Sequence, residues 1–126
     1  PIKTFEFLIR THLVISIVRE NMSVKSLQAE KYFIHLLFST TKEQAKALIY
    51  TLTPGQTLAV CEIILNISNL SNSPQIRTEL IKRRPLIKKL TEGKLKLKQR
   101  LTYIQDHYRQ VLGLLCLVKN KVLSLI

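Results

Sequence analysis

The chain has 126 residues and 46% of them are apolar, which suits one domain with a buried core and excludes a disordered tail. Its 20 Lys and Arg outnumber 8 Asp and Glu, and the resulting net charge of +12 indicates a polyanionic partner. The few acids, three His and two Cys offer little material for catalysis, so the composition favours a binding or structural protein over an enzyme.

The first twenty residues fit two patterns. Phe5, Phe7 and Ile9 alternate as in a strand, whereas Ile2, Phe5 and Ile9 also fit one face of a helix. The sequence offers no second strand candidate for pairing, so we predict a helix. The apolar run at 13–18 is shorter than a membrane span, which needs about 20 apolar residues, and we expect no segment to cross a bilayer.

Helix signals dominate the residues that follow. We expect Ser23 to start one helix and Thr41 to cap the next. Their apolar positions are Val24, Leu27, Ile34 and Phe38 in the first, and Ala45, Leu48, Ile49 and Leu52 in the second. Such spacing places the apolar side chains on one face of each helix.

The clearest helix start is Thr53-Pro54-Gly55-Gln56. Thr53 can cap the helix, Pro54 fits its first position, and Gln56 can reach back as in a capping box. The residues that follow, Leu58–Ile67, are apolar nearly all round and include a single charge. A helix of this kind belongs at the centre of a core.

Several signals interrupt the middle of the chain. Residues 68–73 are a loop by composition, and Ser73-Pro74 repeats the cap-and-proline start of a helix. Because proline lacks an N–H, Pro85 is predicted to end or kink that helix, and Gly93 marks a further turn. The apolar positions of this helix are Ile76, Leu80 and Ile81.

The last segment has the most regular pattern. Its apolar residues step by four and three over about four heptads, which predicts one long helix over 95–125 with a coiled-coil-like seam. We expect the seam to pack on the chain's own helices, with homo-oligomerisation through a second copy as the alternative. The seam consists of Leu97, Leu101, Ile104, Tyr108, Val111, Leu115, Val118, Val122 and Leu125.

These patterns together predict one all-α domain over residues 1–126. The expected architecture is a compact bundle of about five or six helices. The helix at 58–67 forms its centre, and the long C-terminal helix flanks it.

Most of the excess charge lies in one segment, residues 77–100, which we call the basic block. It holds ten bases and two acids, a net charge of +8 out of +12. Each phosphate that Lys or Arg neutralises releases condensed counterions, so such a block can bind nucleic acid with a steep dependence on salt. The bases are Arg77, Lys82, Arg83, Arg84, Lys88, Lys89, Lys94, Lys96, Lys98 and Arg100.

The expected mode of binding is contact with phosphate backbones. No aromatic residue lies between Ile76 and Thr102, so stacking on bases is not supported, and Lys outnumbers Arg, which limits bidentate reading of bases. Such contacts position a protein on nucleic acid without reading sequence. We therefore predict sequence-independent binding, with duplex DNA as the partner.

Two other interpretations of the basic block compete with this one. The block is either a solvated surface without a partner or a site for an anionic membrane or an acidic protein. The apolar end of the chain, Val111–Ile126, lies beside the block and suits an anionic lipid surface. The cluster of bases at 82–89 also resembles a nuclear import signal, which predicts an intracellular location in the nucleus.

Catalytic and metal-binding motifs are not evident. Asp106 and His107 are sequence neighbours and point about 100° apart on a helix, so they do not face each other. Cys61 and Cys116 lie far apart with no nearby His pair, which predicts two buried thiols and no zinc site. We therefore predict no catalytic residue, no metal and no cofactor.

Roughly residues 30–105 resemble a known family. The motif runs through Lys46-Ala47-Leu48-Ile49, Leu52-Thr53-Pro54-Gly55-Gln56 and Val60–Ile67, and then the basic runs Leu80–Leu90 and Leu95–Leu101. This order is similar to that of small basic proteins encoded beside capsid genes in Polinton/Maverick elements and the related adintoviruses. The chain departs from the family pattern at 105–107, where a Gly-Gly turn is replaced, and its first twenty residues have no counterpart.

The resemblance implies a viral or transposon-derived context and a place in the virion. There a basic protein condenses the genome, attaches it to the shell, or serves as a minor capsid component with capsid proteins as partners. Together with the charge, it leads to the hypothesis of a non-enzymatic core or genome-packaging protein. The alternative is a membrane-active or scaffold minor capsid protein that oligomerises through the seam at 97–125.

Overall fold

The computed structural model describes residues 27–67, 74–91 and 95–126. These ranges form helices and contain no strand, which confirms the all-α prediction. The predictions for the first twenty residues, Ser23, the loop at 68–73 and Gly93 lie outside them. The helices are α1 (Lys31–Ser39), α2 (Lys42–Tyr50), α3 (Pro54–Leu65), α4 (Pro74–Lys82), α5 (Arg84–Thr91), α6 (Leu97–Asp106), α7 (Tyr108–Leu117) and α8 (Lys119–Leu125).

The described residues contain more helices than the five or six predicted, because single residues interrupt longer helical stretches. Glu30, with φ −111° and ψ 23°, separates α1 from a helical run at 27–29. His107, with φ −119° and ψ 30°, separates α6 from α7, and Val118, with φ −114° and ψ 12°, separates α7 from α8. These backbone angles lie outside the α-helical range.

The prediction of one long C-terminal helix is therefore wrong, since residues 97–125 form three helices. A straight helix of that length would extend about 44 Å, which exceeds the roughly 30 Å diameter of a small domain. His107 and Val118 interrupt the helix, and residues on both sides of each interruption, such as Ile104, Val111 and Val122, are buried in the core. The heptad pattern reports which side of each turn is apolar, and it carries no information on whether the axis stays straight.

The starts of α2 and α3 follow the sequence signals. The Gln44 N–H donates to Thr41 Oγ1 at 3.2 Å, and the Gln56 N–H donates to Thr53 Oγ1 at the same distance. In return, the N–H of each threonine donates to the side-chain oxygen of its glutamine. Both caps are confirmed as capping boxes, and Pro54 occupies the first position of α3.

The predicted central helix is α3, which packs against α5, α6 and α7. Buried side chains occupy most of its circumference, since neighbouring positions such as Val60 and Cys61, or Ile63 and Ile64, are both inaccessible to solvent. A helix with this pattern needs neighbours on several sides. Its burial therefore determines where the other helices lie.

The seam residues lie in the chain's own core. Those from Ile104 to Val122 are buried apart from Tyr108, which with Leu101 is partly buried and packs against the core. Leu97 is partly buried, and Leu125 is 38% exposed at the end of α8. Most of the seam therefore packs on other helices of the same chain.

The junction between α4 and α5 follows from Pro85. The preceding helix ends at Lys82, and Pro85 stands at the second position of α5, where its missing N–H costs no hydrogen bond. Ile76 is buried and Leu80 is partly buried, as expected for an inner face. Ile81, which is predicted to be another apolar position of this helix, is instead 74% exposed, because five residues of helix place it about 140° away from the buried Ile76.

We predict that Ile64→Ala lowers the free energy of unfolding by about 2–5 kcal/mol, because a fully buried side chain leaves a cavity. Leu58→Ala on the same helix is the control, and we expect a cost of about 1 kcal/mol or less because Leu58 is 44% exposed. Denaturant titration followed by circular dichroism measures both. Equal losses would contradict the central position of α3.

Candidate nucleic-acid interface

The described part of the basic block lies on α4, α5 and the start of α6. In α5, the apolar residues Leu86 and Leu90 are buried against the core. Arg84 and Lys88 are exposed and lie two positions away, which is about 200° around the helix. The residues that attach α5 to the core and those that present charge are therefore on opposite sides.

The structure places most of the predicted site residues at the surface. Seven of them are exposed, namely Arg77, Lys82, Arg84, Lys88, Lys89, Lys96 and Lys98. Arg83 and Arg100 are partly buried, and Lys94 lies outside the described residues. The segment 74–91 alone carries six bases and one acid. The α4–α5 pair is therefore the most strongly cationic part of the described block.

The single acid of this pair neutralises little of the charge. Glu79 Oε1 lies 3.7 Å from Lys82 Nζ, one helical turn apart, as its sequence spacing predicts. The two side chains are 37% and 64% exposed. Exposed pairs of this kind contribute about 0–1 kcal/mol, so Lys82 keeps its attraction for an external anion.

The start of α6 adds a second concentration of positive charge. Lys96 precedes the helix, and Lys98 lies in its first turn, which contains no acid. The Lys96 N–H donates to Gln99 Oε1 at 2.9 Å. A helix N-terminus carries partial positive charge, so cations placed there are unfavourable by about 0.3–1 kcal/mol each unless an anion lies nearby. This end of the basic block is thus electrostatically suited to phosphate.

A cleft of about 270 Å³ opens beside the α4–α5 junction, and we call it the junction cleft. Both cationic and ring-bearing side chains contribute to its lining. The lining residues are Lys82, Arg83, Pro85, Leu86, Tyr103, His107 and Gln110. The cleft thus combines charge, ring surfaces and one amide.

The aromatic wall of the junction cleft has a defined geometry. The rings of Tyr103 and His107 stack with centroids 4.2 Å apart and planes 28° apart. His107 Nδ1 lies 3.0 Å from the Tyr103 carbonyl oxygen, and because a carbonyl only accepts, Nδ1 carries the proton. This bond holds the imidazole of His107, the residue that separates α6 from α7.

Tyr103 and His107 were not among the predicted site residues. They follow the basic block in sequence and reach Lys82 and Arg83 only because α6 and α7 bring them beside the α4–α5 junction. Their spacing of four residues, which lets side chains on a helix meet, was the available signal.

A second cationic cluster surrounds Tyr108. Lys46 Nζ lies 5.0 Å from the centroid of the Tyr108 ring, and Arg109 Cζ lies 5.8 Å from it. Arg109 Nε donates to the Tyr108 hydroxyl at 3.1 Å, and this bond, aided by Lys46, lowers the pKa of Tyr108. The ring of Tyr50 lies 6.1 Å away. These cations stand outside the basic block, and their role here is to pack on aromatic rings.

Arg100 differs from the other bases of the block because it lies beside a buried thiol. Its Nε is buried and has no hydrogen-bond partner among the described residues. Burial raises the pKa of the Cys61 thiol above its ordinary value, and the nearby Arg100 guanidinium opposes part of that rise. Arg100 therefore contributes to the contact between α6 and α3 as well as to the cationic surface.

The two cysteines differ in exposure, although both were predicted to be buried. Cys61 is 6% exposed, which agrees with that prediction. Cys116 is exposed, so the prediction is wrong for this residue. The neighbouring positions Leu114 and Leu115 are buried, and they direct Cys116 to the outer side of α7. Among the described residues, no group of three or more His, Cys, Asp or Glu gathers at one place.

Comparison with protein-family models, curated proteins and solved structures finds no match to this chain. The resemblance to Polinton/Maverick proteins accordingly stays a prediction. None of the helices within the described ranges is long and apolar enough to cross a membrane alone, although α2 and α3, bent by 120°, pass together by length and composition.

We predict that a maleimide labels Cys116 rapidly at neutral pH and labels Cys61 only after unfolding, because Cys61 is buried and its pKa is raised. Because the folded protein favours the neutral Cys61 thiol, the contribution of this residue to the free energy of unfolding is fully present at neutral pH. It is lost as pH rises through the raised pKa. Mass spectrometry of labelled peptides measures both sites. Equal labelling rates in the native protein would contradict the packing of Cys61.

Proposed function

We propose that this chain is a non-enzymatic, sequence-independent nucleic-acid-binding protein that uses the exposed bases of α4, α5 and the start of α6. The observation that carries the proposal is the surface of residues 74–91, where six bases accompany one acid on two adjacent helices. Their apolar sides pack inward through Ile76, Leu86 and Leu90. The charges are therefore carried by two helices that are anchored in the core.

Phosphate backbones are the ligand that this surface fits best. Lys side chains act as point charges, and each phosphate contact releases counterions, which drives binding through entropy. The neighbouring start of α6 adds two exposed lysines beside a helix N-terminus, where an anion relieves an unfavourable arrangement. Neither feature selects a base sequence.

The biological role that we propose is that of a core or genome-packaging protein of viral or transposon origin, acting on duplex DNA in the nucleus or the virion. The support is the charge of the basic block together with the resemblance to Polinton/Maverick and adintovirus proteins. In such a role, neutralisation of many phosphates matters more than recognition of a particular site. Capsid proteins are the further partners that this role implies.

The alternative of a membrane-active or scaffold protein has less support from the fold. Val111, Leu114 and Leu115 pack into the core, so the apolar end of the chain does not offer these side chains to lipid in this conformation. The same burial withholds the middle of the seam from a second copy. The basic surface itself stays compatible with an anionic membrane.

We predict that the quadruple variant K82Q/R84Q/K88Q/K89Q flattens the dependence of duplex DNA affinity on salt. The slope of log affinity against log salt is expected to fall by up to about 0.9 for each phosphate contact removed. The matched control, K31Q/K42Q/K119Q/K121Q, removes the same charge from exposed positions elsewhere and is expected to keep a steeper slope. Fluorescence anisotropy over a salt series measures both.

Two outcomes would contradict the proposal. Equal slopes for the two quadruple variants would mean that overall charge, and not the α4–α5 surface, drives binding. No binding of the unmodified protein to duplex DNA at low salt, together with flotation on vesicles containing an anionic phospholipid, would favour the membrane alternative.

A further inference from the structure

The junction cleft has a composition that phosphate contact alone does not explain. A surface that binds only a duplex backbone needs cations, and the exposed lysines of α4 and α5 already supply them. The cleft adds the stacked rings of Tyr103 and His107 and the amide of Gln110. Its volume of about 270 Å³ lies below the roughly 300 Å³ at which small-molecule sites begin, so it has room for only part of a larger ligand.

The cations of the cleft lie where a phosphate of a bound strand can reach them. Lys82 is exposed with only the weak, solvated pair to Glu79 as its ion pair, and Arg83 is partly buried as the single residue between α4 and α5. A partly buried guanidinium loses little freedom on binding and can hold phosphate oxygens in two places at once. This pair therefore supplies an anchor at one side of the cleft.

The rings of the cleft supply what a base requires. Flat aromatic and imidazole surfaces stack on bases of any identity, because every base has a π face. The Tyr103 carbonyl holds the His107 ring in place at 3.0 Å, so this wall is formed before a ligand arrives. Gln110 can donate and accept hydrogen bonds, as the edges of bases demand.

We infer that the junction cleft holds one unpaired nucleotide of a nucleic-acid strand. Its phosphate lies against Lys82 and Arg83, and its base stacks on the Tyr103–His107 wall beside Gln110. This inference rests on the proposed function and refines it. The bases of a duplex are paired and stacked inside, so the cleft gives single-stranded regions an additional affinity beyond the backbone contacts shared by both forms.

The test compares oligo(dT) with a blunt-ended, fully paired duplex of equal phosphate number, at one salt concentration, by fluorescence anisotropy. Tyr103→Leu keeps apolar bulk against the core and removes the ring, so it is expected to weaken oligo(dT) binding by about fivefold or more and to leave duplex binding unchanged. Tyr32→Leu is the matched control, since Tyr32 is 80% exposed and lies away from the cleft. It is expected to change neither affinity.

A second measurement avoids substitution altogether. Oligo(dT) carrying 5-iododeoxyuridine is irradiated with the unmodified protein, and crosslinked peptides are identified by mass spectrometry. We expect the crosslink at Tyr103 or His107. Crosslinks confined to other aromatic residues would overturn the inference even if the Tyr103 variant fails to fold.

The results separate this inference from the proposed function. If oligo(dT) and the duplex bind equally and Tyr103→Leu alters neither, the cleft inference fails while nucleic-acid binding stands. If neither nucleic acid binds at low salt, both fail. Higher affinity for oligo(dT) that Tyr103→Leu abolishes supports both.

Discussion

The burial of α3 is the constraint on which the rest of the described structure depends. Because this helix is apolar on most of its circumference, α5, α6 and α7 must surround it to keep its side chains from water. Each covering helix then has one side committed to α3 and one side left for solvent. The positive charges occupy the solvent side, since burying an unpaired cation costs far more than exposing it. The outward position of the charges on α5 therefore follows from the burial of its apolar side against α3.

Sequence reasoning succeeded where structure is decided locally. The capping boxes at Thr41 and Thr53 depend on residues three positions apart, and Pro85 limits the helix just before it, so these features follow from short segments. The seam at 97–125 shows the opposite case. Most of its apolar residues lie in the core as the periodicity predicts, yet the helix is interrupted at His107 and Val118. A straight helix of that length would extend beyond a small domain, so the interruptions depend on tertiary packing.

In the candidate site, too, some features follow from the local sequence and others depend on tertiary contacts. Counting charges located the basic block, and amphipathic spacing in α5 determines which bases face outward. The junction cleft depends on tertiary contacts between segments about twenty residues apart, so no local pattern revealed it. The block itself contains no aromatic residue, whereas Tyr103 and His107 lie beyond its end in sequence and meet Lys82 and Arg83 at the cleft. Arg100 is the opposite case, because counting charges places it in the basic block, whereas its Nε is buried and its guanidinium lies beside the buried Cys61 thiol.

The shortness of α4 and α5 has a consequence for how the protein and a polyanion influence each other. These helices have nine and eight residues, whereas isolated helices shorter than about 12–15 residues are marginal in water. Their charges are held in register only while Leu86 and Leu90 remain docked in the core. Under the proposed function, folding and polyanion binding are therefore linked equilibria, in which each favours the other. Residues 74–91, if removed from the rest of the chain, would keep their charge but lose the fixed arrangement of the charged side chains. The rest of the chain therefore acts as the support that holds these charges in place.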